Sequence, residues 1–153
     1  MDKDWLDRTL TIDRTFEAPR SLLWEVWTHP DHISKWWGPP GMQTQVEQLD
    51  FKPGGKWKFI MIAKDGKVFP AEGTYQEIVE PERIVKTANF AQITVGVILT
   101  ITFEAVGAKT QLTLSVTHPT KLYRDKQERM GVMNGWGAAL SKLDAYLVSQ
   151  SIL

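Results

Sequence analysis

Cysteine is absent from the 153 residues. That excludes disulfides, thiolate metal centres and cysteine nucleophiles, and it fits a reducing cytoplasm. Neither sign of charge is in excess, with Lys and Arg together 18 and Asp and Glu together 18. Nucleic-acid binders carry a basic surplus, so that class is set aside. No run approaches the roughly 18 apolar residues of a membrane span. The N-terminus, Met1-Asp2-Lys3-Asp4-Trp5-Leu6-Asp7, is too acidic and too poor in apolar residues for a signal peptide. Also missing are a glycine-rich phosphate loop, a nucleophile elbow, an HExxH pattern and a Ser-His-Asp set readable from spacing. These absences count against the commonest enzyme classes. Only three histidines occur. His29 and His32 have a spacing used by metal pairs, but Pro30 interrupts the helix between them and no cysteine can assist. Surface or capping roles are expected, with no metal and no cofactor.

Tryptophan, by contrast, is abundant, at positions 5, 24, 27, 36, 37, 57 and 136. Such a supply suits a large core or an aromatic-lined pocket. The most informative stretch is Trp36-Trp37-Gly38-Pro39-Pro40-Gly41. Proline lacks an amide donor and glycine loosens the backbone, so two large rings run directly into a loop. Loops lie at the surface, so the rings either tuck into a core or line an opening. The segment reads as the rim of an apolar cavity.

The length is that of one domain, and 1–153 reads as a single unit without repeat, linker or low-complexity tract. Residues 8–17 alternate, with Leu10, Ile12, Arg14 and Phe16 on one face, which predicts a half-buried strand. Pro19 opens a helix with Leu23, Val26 and Trp27 as its apolar stripe, and His29-Pro30 ends it. A second short helix is predicted over about 30–37. Six strand-like segments follow at 42–52, 56–63, 67–79, 83–90, 94–105 and 109–118, separated by turn signals such as Pro53-Gly54-Gly55 and Asp65-Gly66. Short connections favour an antiparallel meander. The inward rows are Trp57, Phe59 and Met61; Leu99, Ile101 and Phe103; and Leu112, Leu114, Val116 and His118.

Residues 122–149 predict one long amphipathic helix, with Asp125 and Glu128 at capping-box spacing. Gly131, Gly135 and Gly137 sit inside it, each costing about 1 kcal/mol against alanine in a helix interior. Either a neighbour approaches this face closely or space is kept open beside it. On the second reading, a leucine at position 137 would plug the space. The expected fold class is α+β: a curved seven-stranded antiparallel sheet around a long C-terminal helix, with two short helices after the first strand. A helix about 10 Å wide does not fill a strongly bent sheet, so the remainder holds bulky side chains or a guest.

The walls of such a cavity are expected from Trp27, Trp36, Trp37, Trp57, Phe59, Met61, Tyr75, Phe90, Leu99, Met130, Met133 and Trp136. Arg14, Asn89, His118 and Asn134 are the candidate polar contacts. Arg14 sits among apolar neighbours, where an unpaired charge is costly. It either meets Glu72, Glu104 or a ligand acid, or snorkels to water. His118 is either a general acid–base group at a cavity mouth or a hydrogen-bonded histidine before a turn. Glu72 is opposite in parity to Phe69, Ala71, Gly73 and Tyr75, hence solvated unless the bend inverts that parity.

Phe16-Glu17-Ala18-Pro19, Val26-Trp27, Trp36-Trp37-Gly38-Pro39, Pro53-Gly54-Gly55-Lys56-Trp57, Asp65-Gly66, Gly73-Thr74-Tyr75, Pro81-Glu82-Arg83-Ile84-Val85 and Gly135-Trp136 form an ordered set. Over about residues 8–149 this set resembles the branch of the START/SRPBCC superfamily homologous to the activator of the heat-shock-protein-90 ATPase. The resemblance implies a helix-grip fold with a cavity between sheet and C-terminal helix. The aromatic excess and the glycine-rich helix point to a small hydrophobic ligand as partner. An acid–base enzyme of the polyketide cyclase/dehydratase type and a chaperone-interacting protein are the alternatives. The co-chaperone carries an additional domain, which weighs against a chaperone contact here. A homodimer stays open, and a cytoplasmic location is expected.

Overall fold

The computed structural model describes residues 4–91 and 93–151. A short α1 (Asp4–Asp7) precedes β1 (Thr9–Phe16), α2 (Arg20–Thr28) and α3 (Pro30–Trp36). Then come β2 (Gln43–Leu49), β3 (Lys56–Ile62), β4 (Val68–Val79), β5 (Arg83–Phe90), β6 (Thr94–Val106) and β7 (Lys109–Thr117). The chain finishes with α4 (Lys121–Arg129) and the long α5 (Val132–Ser151). The strands form one antiparallel sheet in the order β1-β7-β6-β5-β4-β3-β2. Only the first and last strands break the meander. β1 closes on β7, so α2 and α3 must carry the chain to the opposite edge, where β2 starts. This is the α+β helix-grip arrangement that the ordered motifs imply. Among the described residues no helix is long and apolar enough to cross a membrane.

Local chemistry explains the boundaries. His29 precedes proline and is extended (φ −96°, ψ 131°), which ends α2 and starts α3 at the same residue. Pro19 lies one residue outside α2, with φ −70° and ψ 153°. The turns predicted at Pro53-Gly54-Gly55 and Asp65-Gly66 join β2 to β3 and β3 to β4. Gly54 and Gly66 take φ of +83° and +87° there, a region open to glycine.

Alternation assigns the faces as the sequence predicts. Trp57, Phe59 and Met61 are buried, as are Leu99, Ile101 and Phe103, and Leu112, Leu114, Val116 and His118. Glu72 is exposed and lies 3.9 Å from Lys58 on the outer face. Leu140, Leu143 and Leu147 of α5 complete the core at helical spacing. Each such buried apolar side chain contributes on the order of 2 kcal/mol.

The C-terminal region departs from the prediction of one uninterrupted helix. Gly131 takes φ +79°, which ends α4 before α5 begins at Val132. The apolar stripe runs on through this break, so periodicity alone does not reveal it. Asp125 and Glu128 are not a capping box either. Thr120 caps α4 by accepting a hydrogen bond from Tyr123 N at 3.0 Å. Asp125 and Glu128 instead pair with Arg124 along the helix, at 2.8 and 3.5 Å.

Candidate functional site

A cleft of about 310 Å³ opens between α5, the rim loop after α3 and the inner face of the sheet. Trp37, Gly38 and Pro39 form one side, and Met61 of β3 and Phe90 of β5 the floor. Ile93 and Thr94 close one end, and Met130, Gly131, Val132, Gly135, Trp136 and Ala139 supply the helical wall. The lining is almost wholly apolar and has the size of a small-ligand pocket.

Several hydrogen bonds hold this lining in place. Thr44 Oγ1 donates to the Trp37 carbonyl at 2.6 Å, tying the rim to β2. Lys142 Nζ lies 3.4 Å from the carbonyls of Gly38 and Pro39, tying the same rim to α5. Buried Gln127 of α4 accepts from Thr94 Oγ1 and donates to the Ile93 carbonyl at 3.0 Å, anchoring the β5–β6 turn. Each side of the opening is thus set by a separate element.

The three helical glycines have different jobs. A Cβ built on Gly135 meets no described atom within 4 Å, so this position faces the open cleft. One built on Gly137 meets Ile12 Cδ1 at 3.7 Å. Gly137 therefore faces Ile12 at ordinary van der Waals distance and not the opening, and the plug expected there belongs at Gly135. Two helical positions are turned by about 200°, so the pair cannot share a face. Gly131 makes the break described above.

Of the expected wall, Trp37, Met61, Phe90, Met130 and Trp136 line the cleft. Trp27, Trp36, Trp57, Phe59, Tyr75 and Leu99 lie in the core behind them. Trp37 joins the two layers, with its ring centre 5.2 Å from Phe59, 5.6 Å from Trp36, 5.6 Å from Trp136 and 5.9 Å from Trp27. Met133 packs against the core without lining the cleft, and Asn134 is exposed.

The candidate polar contacts are engaged elsewhere. Arg14 donates to Ser141 Oγ at 2.9 Å and to the Gly137 carbonyl at 3.3 Å, bridging β1 to α5 rather than meeting a carboxylate. Asn89 Oδ1 accepts from Gly96 N at 2.7 Å. His118 is fully enclosed, its Nδ1 3.2 Å from the Arg8 carbonyl and its ring edge-on to Tyr123. Burial holds its pKa below the usual value, so the imidazole is neutral at pH 7.

One residue was not anticipated: Lys86. It shares the inward parity of Ile84, Ala88 and Phe90, and that parity was the available signal. Its side chain is 2% exposed. Nζ stands 4.4 Å from the ring centre of Trp57, 4.9 Å from Trp37, and 5.5 Å from both Phe59 and Tyr75. Burial pushes its pKa down to about 7. The ring faces oppose that shift, because they attract the cation.

Comparison with known proteins follows the same lines. The model of the family "Activator of Hsp90 ATPase homolog 1-like protein" matches residues 17–148. No curated protein matches the chain. Protein Ms6760 from Mycobacterium smegmatis is 25% identical with a TM-score of 0.84, over 97% of this chain and 96% of that one. A protein from Arthrobacter aurescens is 24% identical with a TM-score of 0.87, over 97% and 90%. An AHSA1-like protein from Aeromonas hydrophila is 21% identical with a TM-score of 0.78, over 95% of each chain. The last two show likeness of fold alone. With its helix-grip sheet, its aromatic cleft under the terminal helix and a family match over most of its length, the chain belongs to the activator of Hsp90 ATPase homolog 1-like family.

Proposed function

We propose that this chain binds a small hydrophobic molecule in the cleft between sheet and α5. The observation that carries the reading is the apolar opening of about 310 Å³ with glycine at position 135 facing it. A glycine there gives up about 1 kcal/mol of helix stability relative to alanine and leaves room in exchange. The acid–base alternative relied on His118 or a buried carboxylate; an enclosed, neutral imidazole packed on Arg8 and Tyr123 and an exposed Glu72 offer it little support. The family name alone speaks for a chaperone contact.

Gly135→Leu tests the reading. The side chain points into free space, so the variant is expected to fold. Native mass spectrometry of freshly isolated protein is expected to find a bound small molecule on the natural chain and none on the variant. Equal occupancy in both would place the guest elsewhere.

A further inference from the structure

Lys86 is a buried residue whose amine lies among aromatic rings. Among the described residues no hydrogen bond or ion pair reaches its Nζ; four aromatic rings surround it instead. Ring faces return only part of the hydration that a desolvated cation loses. A π face has no lone pairs aimed at three N–H donors. The rings therefore leave the charge under-compensated.

Two polar atoms in the same aromatic cluster are buried without a partner among the described residues, the indole nitrogen of Trp27 and the hydroxyl of Tyr75. The ring of Tyr75 lies 5.5 Å from the lysine Nζ, and that of Trp27 lies 5.9 Å from Trp37. An indole N–H only donates, an ammonium only donates, and a phenol can donate. A phenol oxygen also accepts, so what this interior lacks is an anion to balance the charge. The neighbouring carboxylates do not serve. Glu47, Glu72 and Glu77 are exposed and lie near Lys58, Lys58 and Arg83.

Building on the carrier reading, we infer that the ligand is an amphipathic carboxylic acid, its apolar body in the cleft and its carboxylate paired with Lys86. Trp37 is the partition between the two. One face of its surroundings is the cleft, and the ammonium lies 4.9 Å from its ring centre. Trp37 sits just past the end of α3 and before Gly38, whose φ of +97° marks a break in regular structure.

The test compares decanoic acid with decan-1-ol by calorimetry at pH 6.5, on the acid side of the lysine's value of about 7 and above the range in which the carboxyl ionises. The natural chain is expected to bind the acid at least tenfold more tightly than the alcohol. In Lys86→Met that ratio is expected to fall to about one. Equal binding of the two by the natural chain would overturn the acid assignment and leave the carrier reading intact, and a preference for acid that survives in Lys86→Met would overturn the pairing with Lys86. Binding of neither would overturn both. The comparison on the natural chain stands whether or not the variant folds.

Discussion

Replacing Lys86 with methionine is expected to stabilise the chain by about 1–4 kcal/mol at pH 7, read as a rise of roughly 2–16 °C in melting temperature for a chain of this size. The two side chains have similar length, and the ring cluster around Nζ accepts a thioether and methyl without leaving a hole. The gain comes from removing an amine that burial has stripped of water and that no described side chain neutralises. Its pH dependence follows from the shift. The folded-state pKa is about 7 against the usual 10.5. Between these values the unfolded chain holds a proton that the folded chain lacks, so the natural chain gains stability as pH rises through that window. The advantage of Lys86→Met is therefore largest at or below pH 7 and shrinks towards pH 10. Thermal melts of both proteins at pH 7 and pH 10 measure it. A lower melting temperature for the variant, or a gap that widens with pH, would mean that the lysine contributes to stability.

Gly73→Ala is expected to have the opposite effect, a loss of at least about 3 kcal/mol or failure to fold. An added Cβ would fall 1.9 Å from the Thr87 carbonyl oxygen and 2.9 Å from Trp57 Nε1. Neither atom can retreat. The Thr87 carbonyl accepts from Trp57 Nε1 at 3.1 Å, and Thr87 Oγ1 accepts from Thr74 N at 2.9 Å. At this point β4 and β5 are stitched by side chains, and only a residue without a Cβ lets the indole reach across. Trp57 is also the ring nearest to Lys86 Nζ, so the substitution would disturb the surroundings of the amine. Urea denaturation measures the loss, with Gly135→Ala as the control because its Cβ meets no described atom within 4 Å. Equal stability of the two variants would contradict this view of the β4–β5 contact.

The strands were legible because two signals coincide. Alternation names the inner face, and glycine or proline names the ends; β5 runs over 83–90 as predicted. The inner row of β3 and the exposure of Glu72 follow from the same parity. The break at Gly131 was not legible, because an apolar stripe continues across a residue whose φ changes sign. The lining was legible only in its aromatic members. Ile93, Thr94 and Ala139 reach the cleft through tertiary folding that no local pattern encodes. Gly135 and Gly137 looked equivalent in sequence, yet the helical turn sends one to the opening and the other to Ile12. Lys86 was readable by parity, but a lysine in a strand is ordinarily solvated, and that expectation hid it.

The central claim is that an apolar guest occupies the space under α5 beside Trp37. Methyl NMR with labelled methionine tests it most directly, because Met61 and Met130 line opposite sides of the cleft. Titration with decan-1-ol is expected to shift both methyl signals along one saturable curve, and to leave them in place in Gly135→Leu. Signals that stay fixed in the natural chain at saturating alcohol would contradict the claim.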